Sequence, residues 1–410
     1  MYKRGKIGLA RRVISVHILN KFKKKEKQIL KDTEKYNLAA EYYFKKKEND
    51  QYLREKPYVL SKSNFELQIR FALLIDALDI SMADTVLDFG AGTCWTSALL
   101  NRMGVKTISL DVSKTALRIG KQEVFKFDKR QKMDLNPSFI VYNGNRIPLS
   151  DGSVDRILCF DAFHHVPNQQ EILNEMCRIL RDGGRAGFSE PGEGHSRSAD
   201  SIKESETYGV LENDIYVPDF KEKAEAAGFT GFFLKPYLNL NSVTFTLDEY
   251  LNFLEGRSGN SINQLPSCIN PLPLIILEKY MEKVDSKHPN VLKAKIEIIR
   301  GANRVKPGEI LNIDARIKNI GDTLWLSKPQ GGPCCVALGI RIVEDKERKD
   351  FARGYLTKDL PPGAEDTVKL SFTAPKKKGR YILEFDMVNE HVCWFIDRGS
   401  EPYEMEIEVV

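Results

Sequence analysis

The stretch that most constrains this chain is Val86-Leu87-Asp88-Phe89-Gly90-Ala91-Gly92-Thr93-Cys94-Trp95-Thr96-Ser97. It opens apolar and β-favouring, ends in an acid and a tight glycine turn, and runs into helix-forming Ala98-Leu99-Leu100, a pattern that predicts buried strand, loop and helix start. Residues without a Cβ let the backbone come close to a ligand at the N-terminus of that helix, so the unit is a nucleotide cradle. A dinucleotide fingerprint needs glycine at the first, third and sixth positions of the turn, and here Trp95 stands at the sixth, which disfavours NAD. Asp88, two residues before the first glycine, is positioned to accept hydrogen bonds from turn amides or from the amino group of an amino-acid moiety.

Downstream, strand-like and helix-like segments alternate over 107–110, 116–127, 138–141, 156–160, 170–180 and 185–189. That alternation implies a parallel sheet with helices on both faces and ligands beyond the carboxyl ends of the strands. Asp111 ends the second strand, where a carboxylate can take both ribose hydroxyls in a bidentate grip. Upstream, Phe65, Ile69, Leu73, Leu74 and Leu78 have helical spacing and are expected to pack beside the first strand. The aromatic and charged segment 36–58 precedes that strand. It is expected either to fold over the ligand as a lid or to pack as a helix on the sheet.

Asp88-Phe89-Gly90-Ala91-Gly92-Thr93-Cys94 resembles motif I of the class I S-adenosylmethionine-dependent methyltransferases, with Cys94 at the place of the last glycine. Gly144-Asn145-Arg146-Ile147-Pro148-Leu149 is similar to that family's Gly-Asp-Ala-x-x-Leu-Pro segment. Asn145 stands where an acid accepts the adenine amino group, and an amide oxygen can still accept that bond without charge. The turn Gly183-Gly184-Arg185 and the exit Ala227-Gly228-Phe229 extend the resemblance over about 60–236. It implies a Rossmann-like α/β methyltransferase sheet with S-adenosyl-L-methionine as cofactor. The implied cofactor contacts are Asp88, Gly90, Ala91, Gly92, Asp111, Val112, Asn145, Arg146 and Asp161.

Methyl transfer to oxygen is an in-line displacement that aligns the acceptor and usually removes its proton. Candidate groups belong at the ends of strands four and five, in Asp161-Ala162-Phe163-His164-His165 and Glu190-Pro191-Gly192-Glu193-Gly194-His195. Three of the six histidines of the chain fall in these two loops. His165 is favoured as the base, with His164 anchoring the loop, His195 or Glu190 orienting the base or binding the acceptor, and Glu190 the alternative base. The Asn/Asp-Pro-Pro-Tyr clamp that holds a planar nitrogen in base and amide methylases is absent, which favours a hydroxyl acceptor.

The loop 188–196, continued by 204–215, resembles a branch of bacterial methyltransferases encoded among glycosyltransferases for surface polysaccharide. That resemblance implies a sugar or glycan hydroxyl, of O-antigen or capsule type. Two alternatives remain: a methyltransferase for a small non-sugar metabolite or quinone, and a glycan-binding scaffold that has lost activity, suggested by Cys94 and Asn145.

Length and charge bear on the ends of the chain. The 410 residues allow two or three domains. The net charge of +5 conceals eleven Lys or Arg against the single acid Glu26 in residues 1–31. This basic segment is a candidate for peripheral contact with anionic lipid. No stretch has the length and purity of a membrane span or the plan of a signal peptide, and the seven cysteines form no Cys-x-x-Cys pair. A cytoplasmic protein without metal or nucleic-acid partner is expected, of unstated oligomeric state.

From residue 291 the composition turns to β-favouring runs separated by glycine and proline turns, at the spacing of a sandwich. Asn319-Ile320-Gly321-Asp322-Thr323-Leu324-Trp325 and 383–395 resemble an immunoglobulin-like module, in which Trp325 and Trp394 could stack on sugars. The expected organisation is a basic helical segment and lid over 1–59, a methyltransferase domain over 60–236, a cap and connector over 237–290, and the sandwich over 291–410.

Overall fold

The computed structural model describes residues 31–59, 62–125, 129–237, 246–256, 273–280, 284–328, 331–344 and 347–410. The basic segment 1–30, and with it the proposed lipid contact, lies outside the described residues. Among the described residues no helix is long and apolar enough to cross a membrane.

The chain divides into two units, and the first carries a seven-stranded sheet in the order β3-β2-β1-β4-β5-β7-β6. Its strands are β1 (Thr85–Phe89), β2 (Lys106–Asp111), β3 (Ser138–Val141), β4 (Val154–Phe160), β5 (Leu180–Ser189), β6 (Phe229–Lys235) and β7 (Leu274–Lys279). The first five are parallel, and β7 runs antiparallel to both neighbours. The most central strand, β4, is buried along its whole length, which is why it reads as an unbroken apolar run rather than as an alternating one.

Helix α3 (Lys62–Leu78) buries Leu67, Phe71, Leu74 and Leu78 against Val86, Leu158 and Ile276. Phe65, expected on that stripe, is exposed, because the buried face is the one drawn through Leu67 and Phe71. The opposite face of the sheet is covered by α6 (Gln169–Ile179) and α8 (Val217–Ala226), whose Ile172, Met176 and Phe220 meet Leu87, Ile157 and Phe188.

Two expectations change. Residues 274–277 of the run 272–277, assigned to a connector, belong to β7, inserted between β5 and β6, so the first unit extends to Tyr280 rather than ending at 236. Hydrophobicity marks such a segment, but only pairing tells where it inserts. The helix expected over 116–127 is α5 (Lys114–Ile119) followed by a wider π turn over Gly120–Phe125. A Cβ at Gly120 would lie 2.4 Å from the Cys94 sulfur and 3.0 Å from the Thr93 carbonyl oxygen. The missing glycine of the cradle is therefore accommodated by a glycine on the helix facing it.

The second unit holds two sheets, β13-β10-β8 and β12-β11-β14-β16-β9, with the short β15 (Cys393–Trp394) paired to β14. The three-stranded sheet comprises β8 (Ala294–Arg300), β10 (Ile310–Asn319) and β13 (Glu365–Thr373). The larger comprises β9 (Arg304–Val305), β11 (Val336–Glu344), β12 (Glu347–Tyr355), β14 (Gly379–Asn389) and β16 (Tyr403–Val409). Ile313 and Val368 of the smaller sheet share one core with Leu338, Phe385 and Ile407 of the larger. Strand β12 was not foreseen, since its charged sequence suits a sheet edge, where it lies. Trp325 is fully buried against Phe395, and the Trp394 ring lies 3.9 and 4.6 Å from the Arg341 and Arg353 guanidiniums. Neither indole is presented as a bare platform for a sugar.

The Cys94 and Gly120 pair predicts a coupled effect. Gly120→Ala should destabilise the protein by about 1–3 kcal/mol through overpacking. Adding Cys94→Gly should recover part of that loss in chemical denaturation, and strictly additive effects would show that the two positions do not compete for space.

Candidate active site

The turn after β1 is built on two left-handed glycines. Gly90 (φ +70°) and Ala91 donate their N–H groups to the Leu110 carbonyl at 2.9 and 3.0 Å, and a Cβ at Gly90 would meet that of Ala162 at 2.4 Å. Gly92 (φ +51°) donates to Asp111 Oδ2 at 2.8 Å, and Asp111 Oδ1 accepts from the Ser113 N–H at 2.7 Å. Burial pushes Asp111 up to about 6, against these two hydrogen bonds.

Asp88 is used differently. Its Oδ2 accepts from the Thr96 hydroxyl at 2.5 Å, the Ser97 hydroxyl at 2.6 Å and the Ser97 N–H at 3.0 Å, tying β1 to the first turn of α4 (Trp95–Arg102). Its pKa is raised by burial.

Above this cradle is a cavity of about 250 Å3. Gly90, Ala91, Gly92, Asp111, Val112, Asp161 and His165 line it, as do Tyr142, Gly144 and Asn168. Asp88, Asn145, Arg146, His164, Glu190 and His195 do not. Asn145 is engaged with Asn143, through its N–H at 3.0 Å and its side-chain amide at 3.2 Å, which holds it off the wall, and Arg146 is exposed.

The other wall comes from helix α1, described over 31–46, and α2 (Gln51–Glu55), through Tyr36, Asn37, Tyr43, Phe44, Leu53 and the following Lys56. Glu41 fixes α1 to the start of α5, accepting from Ser113 Oγ at 2.8 Å, Thr115 Oγ1 at 2.7 Å and the Thr115 N–H at 3.0 Å. Burial would raise its pKa, but these bonds prevail and lower it. Asn37 donates to the Asn143 carbonyl at 2.8 Å. The segment before the first strand thus covers the cavity as a lid does.

Lys56 is the notable charge. Burial lowers its pKa, with Asp161 pulling the other way, and among the described residues no carboxylate lies within ion-pair reach of its ammonium. Asp161 (φ +48°) is already held by Arg70 of α3 through two bonds of 2.9 and 2.7 Å. Burial would raise Asp161, but the guanidinium outweighs it and keeps the carboxyl below its usual range.

The histidines sit on a 3-10 turn, Phe163–His165, that follows β4. Glu190, at the end of β5, holds that turn: Oε1 accepts the N–H groups of Ala162 and Phe163 at 3.0 and 2.9 Å, and Oε2 accepts that of His164 at 3.2 Å. The His164 ring gives Nδ1 to the same oxygen at 2.7 Å. Burial would lower His164, but the Glu190, Asp161 and Glu212 charges win and its pKa is raised.

His165 turns the other way, with Nδ1 2.5 Å from the Leu211 carbonyl oxygen. That carbonyl can only accept, so the proton resides on Nδ1 and Nε2 keeps its lone pair. Desolvation, with the His164 charge adding to it, pushes His165 down to about 3. Its side chain is 42% exposed and lines the cavity. His195 points Nε2 at Glu212 Oε2, 2.8 Å away.

Sequence reasoning brought together His164, His165, His195 and Glu190, yet it missed Lys56, Arg70 and Glu212. Arg70 interrupts an apolar helical stripe, which was a usable signal. Lys56 lies among many lysines and Glu212 in a loop with other acids, and nothing local sets either apart.

A sheet of this order, with a glycine turn after β1 and an acid at the end of β2, defines the S-adenosylmethionine-dependent class I methyltransferase fold. Residues 87–188 match the family described as methyltransferase domain, so the first unit contains a domain of that class. The chain is 30% identical over 118 residues to methyltransferase GfsG of Streptomyces halstedii, covering 28% of this chain and 41% of that one. It is 35% identical over 120 residues to a demethylmenaquinone methyltransferase of Beutenbergia cavernae, covering 28% and 46%. It thus spans less than half the length of either relative. Among solved structures, Haemonchus contortus phosphoethanolamine N-methyltransferase 2 matches with a TM-score of 0.42 and 13% identity, over 59% of this chain and 60% of that one.

Asp111 gives the site a pH dependence. Its folded pKa is raised, so its ionised form costs the ligand-free fold stability above about pH 6, and that cost is relieved as pH falls toward 4. Ribose hydroxyls donate to the ionised form, so affinity for S-adenosylhomocysteine by calorimetry should fall as pH is lowered through 6. Asp111→Asn should bind weakly and lose this slope, and a wild-type affinity flat from pH 7.5 to 5 would remove Asp111 from ribose binding.

Proposed function

We propose that this protein is an O-methyltransferase that moves the methyl group of S-adenosylmethionine to a hydroxyl, and that the hydroxyl belongs to a sugar of a surface polysaccharide. The observation that carries the hydroxyl reading is the His165 ring on the cavity wall, with Nδ1–H spent on Leu211 and Nε2 left as an acceptor. The residues present fit the cofactor: the glycine turn leaves room for close approach, Asp111 is an acceptor for ribose, and Lys56 is a half-buried cation with no carboxylate in ion-pair reach among the described residues. The bound cofactor supplies an electrophilic methyl group. Asp111 and the turn hold the nucleoside end, Lys56 holds the carboxylate, and α1 and α2 exclude water.

His165 then accepts the acceptor's proton at Nε2. A hydroxyl oxygen becomes strongly acidic as its bond to carbon forms, so a weak, neutral base is adequate there. Glu190 acts through His164 and the turn, holding His165 in place. The sugar assignment is supported by the resemblance of 188–196 and 204–215 to polysaccharide-locus methyltransferases, and the immunoglobulin-like reading of the second unit belongs with it.

Lys56→Met should weaken S-adenosylhomocysteine binding about tenfold or more, in keeping with about 1.5–3 kcal/mol for a charged hydrogen bond. It should leave 5′-methylthioadenosine, which lacks the amino-acid group, unchanged. An equal loss for both ligands would place Lys56 elsewhere. His165→Ala should keep S-adenosylhomocysteine affinity and lose about 10²- to 10⁴-fold in turnover. Turnover would be followed by label transfer to nucleotide sugars, lipid-linked oligosaccharides and a demethylated quinol. Label in the quinol alone would overturn the sugar reading, and native turnover of the variant would overturn the base.

A further inference from the structure

One buried side chain in the cavity wall lacks a hydrogen bond that its surroundings call for. Asn168 follows the histidine turn, stands at the N-cap of α6 and is 3% exposed. It lines the cavity together with Gly144. An N-cap asparagine ordinarily turns its side-chain oxygen to the first N–H groups of its helix, yet here it makes no capping bond. Its Nδ2 donates instead to the Gly144 carbonyl oxygen at 3.1 Å, with Asn145 Oδ1 farther off at 3.4 Å. Both of these are acceptors, so the amide is oriented with Nδ2 toward that loop and Oδ1 away from it. Oδ1 is buried and, among the described residues, receives no hydrogen bond. A buried acceptor in that state costs stability until a donor reaches it.

The place of Asn168 in the wall indicates the donor. Beyond Asp111 the wall continues through Val112, through Tyr142, whose N–H donates to the Asp111 carbonyl at 3.1 Å, and through Gly144. Asn168 is tied to Gly144, which sets it on the side where a base joined to a ribose on Asp111 would lie. Val112, Val166 and Pro167 add apolar surface there, as a flat ring requires. Helix α1 closes the same corner: Asn37 donates to the Asn143 carbonyl at 2.8 Å, and a Cβ at Gly144 would lie 2.6 Å from Thr33 Cγ2. Asn145, expected to accept the adenine amino group, does not line the cavity and is engaged with Asn143. One acceptor is thus withdrawn from the base, and a neighbouring one is left empty.

We propose that Asn168 reads the base of the cofactor, its Oδ1 accepting a hydrogen bond from the exocyclic amino group of adenine in place of Asn145. The inference rests on the S-adenosylmethionine reading of the cavity and is independent of which methyl acceptor the protein uses. The amino group of adenine donates, whereas the carbonyl that replaces it in hypoxanthine only accepts, so an oxygen that pairs with the first opposes the second. Gly144 holds Nδ2, and the amide cannot turn over to offer a donor without giving up that bond. Asn168 is therefore a specificity-determining residue for the nucleoside, fixed in one orientation by the loop it joins.

The test is calorimetry on the full chain with S-adenosylhomocysteine and with S-inosylhomocysteine, which carries a carbonyl where adenine carries its amino group. The wild-type protein should prefer the adenine ligand by about tenfold or more, the effect of exchanging a made hydrogen bond for two opposed acceptors. Asn168→Ala should weaken S-adenosylhomocysteine and bring the two affinities within about threefold of each other. Asn168→Ser, which keeps a favoured N-cap residue but is too short to reach the base, should do the same and serves where the alanine variant fails to fold. Asn145→Ala should keep the wild-type preference.

Equal wild-type affinities, or a preference that survives in both Asn168 variants, would overturn the inference. A preference lost in Asn145→Ala but kept in the Asn168 variants would return the base to Asn145. Binding without preference would remove Asn168 alone, whereas absence of binding by either ligand would overturn the cofactor reading and this inference with it.

Discussion

The buried carboxylate of Glu190 is the contact on which the site depends. Five residues after the midpoint of β5 the chain leaves the sheet, and this side chain reaches back to accept three consecutive backbone N–H groups from the turn after β4. That turn lies beyond the end of its strand, and its N–H groups are buried with no strand partner. Leaving such donors unpaired costs about 1–3 kcal/mol each, so an acid at the neighbouring strand end is a strong requirement of the backbone itself. Because the turn is fixed, the His164 and His165 rings lie side by side with centroids 3.9 Å apart, Nδ1 of one meeting Glu190 and Nδ1 of the other Leu211.

The three acids at the ends of the first strands divide their work according to what surrounds each. Asp88 accepts three bonds on Oδ2 from the first turn of α4 and holds strand to helix. Asp111 accepts two backbone N–H groups and still lines the cavity, and burial raises it. Asp161 is partly buried, and Arg70 grips both its oxygens and reverses the shift. The cavity wall thus carries an anion, Asp111, at the nucleoside end and a cation, Lys56, contributed by the lid, and among the described residues no carboxylate lies within ion-pair reach of that ammonium. A zwitterionic cofactor with hydroxyl donors at one end and a carboxylate at the other matches that polarity.

The lid owes its position to capping. Glu41 reinforces the Ser113 cap of α5 by accepting the Ser113 and Thr115 hydroxyls and the Thr115 N–H, and in doing so attaches α1 to the same helix that follows Asp111. Stability of the helix start and coverage of the cofactor are therefore one interaction.

By itself the sequence determined the α/β sheet, the glycine cradle, the acid at the end of β2 and the pairing of two histidine loops at adjacent strand ends. All of these are carried by local periodicity or by motifs whose residues are close along the chain. It also assigned Asn145 to a task by position alone, whereas in the tertiary structure Asn145 turns to Asn143; Glu190, offered as a base or as the group that orients an imidazole, holds the His164 ring together with three backbone N–H groups of the turn. The insertion of β7 between β5 and β6, the reach of Glu41 to α5, the grip of Arg70 on Asp161 and the meeting of Glu212 with His164 and His165 all join segments separated by tens of residues. No local pattern encodes such contacts, because a side chain's partner is set by where the sheet order and the burial of two apolar faces bring the backbone.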